Sequence, residues 1–156
     1  MKKIIVVGSL VLFIAACGNN GSEPKNEAPV AQNETPAGNP SYDPKRGEGK
    51  FTHVDISPQL DAVKAEAGNK VYTVKCSACH KLTQEKLVGP GWQSVTRRHT
   101  AEWIMNFATN TDEMLNKDPK AQAMLEICLV RMPNQNLSDE DARNIYEFMR
   151  KNDGVK

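Results

Sequence analysis

The chain has no apolar run long enough to span a bilayer. Its longest, Ile4 to Ala16, falls short of the roughly 20 residues that a spanning helix needs. It also lacks a charge excess: the formal net charge is +1, which excludes the strongly basic balance of a nucleic-acid binder. Aromatic residues are scarce at 6% and the mean hydropathy is -0.55, so part of the chain has too little apolar surface to fold. No segment alternates apolar and polar residues convincingly and no internal repeat is present, so a sheet is not expected. The 156 residues leave room for one domain plus extras.

What is present begins with a leader. Lys2 and Lys3 precede the short apolar stretch, as in a secretory signal. It ends in Ile14-Ala15-Ala16-Cys17, which resembles the bacterial lipobox. Residues 1–16 are therefore expected to be a signal peptide and Cys17 the lipidated new N-terminus. The competing reading is an ordinary secretory peptide, or an uncleaved anchor, with an incidental cysteine. A lipid anchor places the chain on the extracytoplasmic or periplasmic face of the cell envelope, and Gly18 after the cysteine favours the outer membrane. Losing Lys2 and Lys3 leaves 18 basic against 19 acidic residues. From Gly18 to about Lys50 the sequence is rich in Asn, Gly, Pro, Glu and Ser and nearly empty of large apolar residues. It reads as a disordered tether over residues 17–56, with a mean span of ~30 Å.

A folded domain is expected over 57–156, and it reads as all-α. Ser57 and Pro58 suit a helix start, with Leu60, Val63, Ala67, Val71 and Val74 recurring near helical spacing through Lys75. Gly68 inside that pattern costs about 1 kcal/mol against alanine and suggests that another helix approaches closely. Further starts are expected at Thr100, at Asp118-Pro119 and at Ser138. The last opens a helix with Asp139, Glu140 and Asp141 in its first turn and Ala142, Ile145, Tyr146 and Met149 on one face.

Cys76-Ser77-Ala78-Cys79-His80 carries the chemistry. Two cysteines three apart can both add to the vinyl groups of a haem edge as thioethers, and the adjacent histidine then sits beneath the iron as an axial ligand; CxxCH is the sequence signal for this attachment. Three other readings compete. Structural zinc would need two more ligands from Cys128, His53 and His99. A thioredoxin-like dithiol would need a βαβ context. A plain disulfide would leave His80 without a role.

From about Asp61 to Asn152 the chain resembles a small monohaem cytochrome c of the His/Met type, in a bacterial lipoprotein form. The resemblance rests on the haem motif, on Gly68 and Tyr72 before it, on Gly89-Pro90 after it and on Met132-Pro133. It implies a cytochrome c fold of four to five short helices around one covalent haem c. It implies that Gly68 and Tyr72 cross the last helix against Tyr146 or Phe148, and that the Pro90 carbonyl accepts a hydrogen bond from His80. It implies His80 and Met132 as axial iron ligands, Met132 being set in a loop where the following proline blocks helix continuation. Met105, Met114, Met124 and Met149 lie inside expected helices and read as core. Trp92 departs from the aliphatic residue the family carries there. Arg97, Arg98 or Trp103 would contact a haem propionate, Trp103 foremost because a buried indole N–H needs a partner. Cys128 reads as a small buried residue, and His53 and His99 as surface.

With both axial positions filled by protein, the haem exchanges single electrons and no small-molecule substrate is expected, so the chain reads as a carrier and not an enzyme. The alternative is a haem enzyme or gas sensor in which peroxide, NO or CO displaces Met132. A weaker reading is a structural subunit whose haem only wires a larger complex. The stretch Trp103-Ile104-Met105-Asn106 and Thr111-Asp112-Glu113-Met114 resembles small lipoprotein cytochromes of Bacteroidetes-like bacteria. That resemblance implies a respiratory reductase or oxidase as redox partner, nitrous oxide reductase among them.

Overall fold

A computed structural model describes residues 42–156; the leader, Cys17 and most of the expected tether lie outside them. Among the described residues the architecture is all-α, with six α-helices: α1 Ala62–Val71, α2 Val95–Arg98, α3 Ala101–Thr109, α4 Thr111–Lys117, α5 Pro119–Cys128 and α6 Asp139–Asn152. No helix among them is long and apolar enough to cross a membrane. One more helix appears than the four to five expected, because the single turn α2 and the short α4 carry little apolar periodicity.

Local capping accounts for most helix ends. Thr100 accepts from the Trp103 N–H, Asp118 from Ala121 with Pro119 in the first turn, and Ser138 from Asp141 in a reciprocal capping box. α1 starts later than expected. Asp61, not Ser57, is its cap, because buried Arg150 on α6 draws the preceding segment onto itself, with Nη2 donating to the Ser57 carbonyl at 2.7 Å and the Pro58 carbonyl at 3.1 Å. Held there, Ser57 and Pro58 stay outside the helix. After Val71 the helix widens into a π-turn over Tyr72–Cys76. The register shift leaves Val74 79% exposed, and Val63 is 82% exposed, so two of the residues read as a core stripe face solvent.

α1 and α6 cross in backbone contact. A Cβ at Gly68 would lie 2.0 Å from the Asn144 carbonyl oxygen, so the glycine is what lets the helices meet. Tyr72, one turn on, packs on Phe148 at 5.3 Å between ring centroids; of the two candidates, Phe148 is the partner. α6 buries Ile145, Tyr146, Phe148 and Met149 against α1 and α3.

The expected tether boundary at residue 56 is corrected. Residues 42–56 are a strap laid over α3–α5. Buried Asn106 holds it: its Oδ1 accepts from the Phe51 N–H, and its Nδ2 donates to the Arg46 and Phe51 carbonyls, each at 2.9 Å. Glu102 accepts from the Val54 N–H, and the Tyr42 hydroxyl donates to Asp118. The strap has few apolar side chains to signal burial. Remote side chains satisfy its backbone instead.

Candidate functional site

The haem motif sits at the end of the π-turn. The Cys79 and His80 N–H groups both donate to the Cys76 carbonyl, at 3.0 and 2.9 Å, which folds the two cysteines and the histidine into one turn. Cys76 is buried and Cys79 half-buried, and both are unpaired, as is Cys128; the disulfide reading finds no support. Burial pushes the Cys76 thiol up to about 11, the reverse of the acidified thiol that a reactive dithiol needs. No three His, Cys, Asp or Glu side chains gather around a common point among the described residues, as structural zinc would require.

His80 is fixed from two sides. Its Nδ1 donates to the Pro90 carbonyl at 2.9 Å, so the lone pair is on Nε2. A Cβ at Gly89 would come within 2.3 Å of the ring's Cε1, so only glycine leaves room for the imidazole. Burial lowers the histidine's pKa, with the Pro90 bond acting partly against it; the ring is held neutral, as a metal-ligating imidazole must be. Trp92 packs at 5.5 Å from His80 and 5.0 Å from Tyr72, and the Tyr72 hydroxyl donates to the His80 carbonyl. The tryptophan thus fills the space behind the imidazole.

Two adjoining, mostly apolar cavities open on the free side of His80. Both are lined by His80, Pro90, Phe107, Met124 and Met132; Cys76 borders one and Cys79 the other. The turn therefore brings both cysteines and a neutral imidazole to cavities whose walls also include Met132. These residues fit a covalently held haem: two thiols for its vinyl groups, apolar walls for its ring and two neutral donors for its iron.

Met132 reaches the cleft because α5 ends sharply. Leu129 takes a left-handed conformation, φ 61°, with its N–H closing onto Leu125. The chain then runs without helix through Met132-Pro133 to the cap of α6. Met105, Met114 and Met149 are buried core, whereas Met124 is half-buried on the cleft wall.

The expected propionate contacts are redrawn. The Trp103 indole N–H donates to the buried Asp118 carboxylate at 3.1 Å, so its hydrogen bond is spent inside the α3–α5 layer. Arg97 is exposed and reaches the Asp153 carbonyl at the end of α6. Arg98 lines the cleft instead, its guanidinium donating to the Gly91 carbonyl at 3.0 Å and also to Gln93. His99, read from sequence as surface, also lines the cleft, stacked on Trp103 at 4.1 Å. A usable signal lay in the Thr100 cap: the residue before an N-cap commonly folds back onto the first helical turn. His53 is exposed beside Asp55, as expected.

The sequence pattern of the cytochrome c family matches residues 65–153. The chain belongs to the cytochrome c family. Among solved structures, cytochrome c from Rhodothermus marinus is 31% identical with a TM-score of 0.65, over 67% of this chain and 90% of that one. An engineered cytochrome c from the same organism is 30% identical with a TM-score of 0.65, and an engineered form bound to a carbene intermediate is 30% identical with a TM-score of 0.62, at the same coverage. A comparison with curated proteins finds no match. Membership makes haem c the cofactor and makes this cytochrome a haem-based electron carrier. The helical neighbours agree with the all-α architecture expected from sequence.

Proposed function

We propose that this cytochrome is a membrane-anchored single-electron carrier in which His80 Nε2 and Met132 Sδ are the two axial ligands of one haem attached at Cys76 and Cys79. Bound haem supplies a one-electron Fe(III)/Fe(II) couple. The observation that carries the ligand assignment is Met132's place in the non-helical stretch after α5, bordering both cavities together with His80, whereas Met124, which borders them too, is held within α5. The Pro90 bond orients the imidazole and raises its basicity. The methionine thioether favours the reduced iron and raises the potential. The cleft walls keep water away.

The partner is a redox protein of a respiratory chain, a terminal reductase or oxidase. Val88 and Val130, 37% and 54% exposed, line the cavity on the Cys79 side, and they give the cleft an apolar rim against which a protein surface can dry. A lipid at Cys17 would hold the domain to the membrane.

The test is spectroscopic. Ferric protein should display the near-infrared methionine–iron charge-transfer band, and Met132→Ala should abolish it; an unchanged band refutes the assignment. An engineered relative binds a carbene intermediate, which favours one competing idea, an iron whose methionine is readily displaced. Rapid carbon monoxide binding to the reduced wild-type protein would support that idea and defeat the pure carrier reading. Intact mass of the mature protein tests the anchor: a chain starting at a lipidated Cys17 is expected, and an unmodified chain starting anywhere else refutes it.

A further inference from the structure

The cleft's polar groups are unevenly used. Of the three residues expected at the haem carboxylates, Trp103 is committed to Asp118, Arg97 to Asp153, and Arg98, which lines the cleft, to the Gly91 and Gln93 carbonyls. Beside it, His99 lines the same cavity and carries a buried Nδ1 with no hydrogen-bond partner. Its ring is held at 4.1 Å over Trp103, nearly parallel at 16°, and Trp103 stacks in turn on Phe107, so the imidazole cannot readily swing out to find water. A buried, immobilised and unpartnered ring nitrogen marks a place where a partner is missing. A haem brings two carboxylates to an otherwise apolar cleft, and a carboxylate is the partner such a nitrogen lacks.

We propose, resting on the haem-carrier reading, that His99 couples a proton to the electron this cytochrome carries: its Nδ1 binds a haem carboxylate, and the imidazole takes up one proton when the iron is reduced. The step balances. One electron arrives from the redox partner and converts Fe(III) to Fe(II), one proton arrives from solvent and converts imidazole to imidazolium, and oxidation reverses both. Reduction removes one positive charge from the centre, so the cation at His99 is less strongly repelled in the reduced protein.

The surroundings make the group responsive. Burial is the main influence and, together with Arg98 and Lys120, it pulls the unpaired histidine down to about 4, while Asp118 acts in the opposite direction. A carboxylate against Nδ1 offsets that desolvation and raises the value towards the ordinary histidine range. The charged groups facing His99 are thus Arg98 from α2, Lys120 from α5 and Asp118 at the α4–α5 junction. The value in the reduced protein must exceed that in the oxidised protein. Between the two the midpoint potential falls as pH rises, and outside them it is flat.

The experiment is the midpoint potential of the holoprotein against pH, measured spectroelectrochemically for wild type and His99→Gln. Glutamine can still donate to a carboxylate but cannot titrate. A wild-type potential that falls through the histidine range, with the fall removed in His99→Gln, supports the proposal; a flat wild-type profile or equal slopes overturn it. A second readout is independent of the variant's folding: ring-nitrogen NMR of wild type in both redox states. His99 titrating at higher pH in the reduced state supports the proposal, and equal titrations overturn it. The haem spectrum from the same cell tests the carrier reading separately, and its absence would overturn both.

Discussion

Substituting Gly68 by alanine opposes two well-defined effects. Helix propensity favours alanine by about 1 kcal/mol, chiefly because alanine has less backbone entropy to lose on folding. Against this stands the crossing with α6. An added Cβ would meet the Asn144 carbonyl oxygen at 2.0 Å, its carbon at 2.5 Å and the Ile145 nitrogen at 2.9 Å. All three are backbone atoms of a helix interior, so no side chain can rotate out of the way. Ordinary contact needs α6 to withdraw by roughly 1 Å or more, and α6 carries Ile145, Tyr146, Phe148 and Met149 of the core. Overpacking costs about 1–3 kcal/mol where side chains can adjust, and this site sits at or beyond the upper end. We therefore expect Gly68→Ala to lose about 2 kcal/mol net, a fall in Tm on the order of 10 °C. The assay is urea and thermal unfolding of the haem-loaded protein, followed by both far-ultraviolet circular dichroism and the haem band. Val63→Ala, on an exposed part of the same helix, should change stability by no more than about 0.5 kcal/mol. If Gly68→Ala is as stable as wild type, or more stable, the helices do not touch at that residue and the reasoning fails.

Three further predictions concern the strap and the helix ends. Tyr42→Phe removes a donor to buried Asp118 and should cost about 1–2 kcal/mol in urea unfolding at neutral pH. Burial first, and then the bond to Asp118, raise the Tyr42 pKa above its ordinary 10.0, so this stabilisation is fully present below that pH and fades as pH rises further; the gap between wild type and variant should narrow in alkali, and a constant gap refutes the coupling. Arg150→Ala leaves Glu147, fully buried and then paired only with Arg143, and releases the Ser57 and Pro58 carbonyls; a loss of about 3–5 kcal/mol in the same assay is expected, and a loss below about 1 kcal/mol would contradict it. Leu129→Gly relieves a left-handed residue whose side chain is 84% exposed and should raise stability by about 1 kcal/mol in denaturant titrations, whereas destabilisation would indicate that the leucine packs in the native protein.

Short-range chemistry was the legible part of this chain. The caps at Thr100, Asp118 and Ser138 bond to N–H groups three residues away, so the letters and the bonds lie together. CxxCH, Gly89-Pro90 and the Gly68 crossing were readable for the same reason: each is a compact pattern with a steric or chemical purpose. The strap was not readable, because its holding groups, Glu102, Asn106 and Asp118, are 48 to 76 residues away from their partners in sequence. The start of α1 failed likewise, since Arg150 decides it from the other end of the domain. Trp103 was rightly read as a buried indole in need of an acceptor, but the acceptor is a protein carboxylate. His99 was misread because its role comes from a stack and a cavity that only the assembled fold creates.

The assignment of His80 and Met132 to opposite faces of one haem is tested most directly by proton NMR of the reduced protein with its methionine methyl groups labelled. A single methionine methyl, shifted strongly upfield by the haem ring current and absent in Met132→Ala, is the expected result. An upfield methyl that persists in Met132→Ala, or a wild-type spectrum with none, would contradict the account.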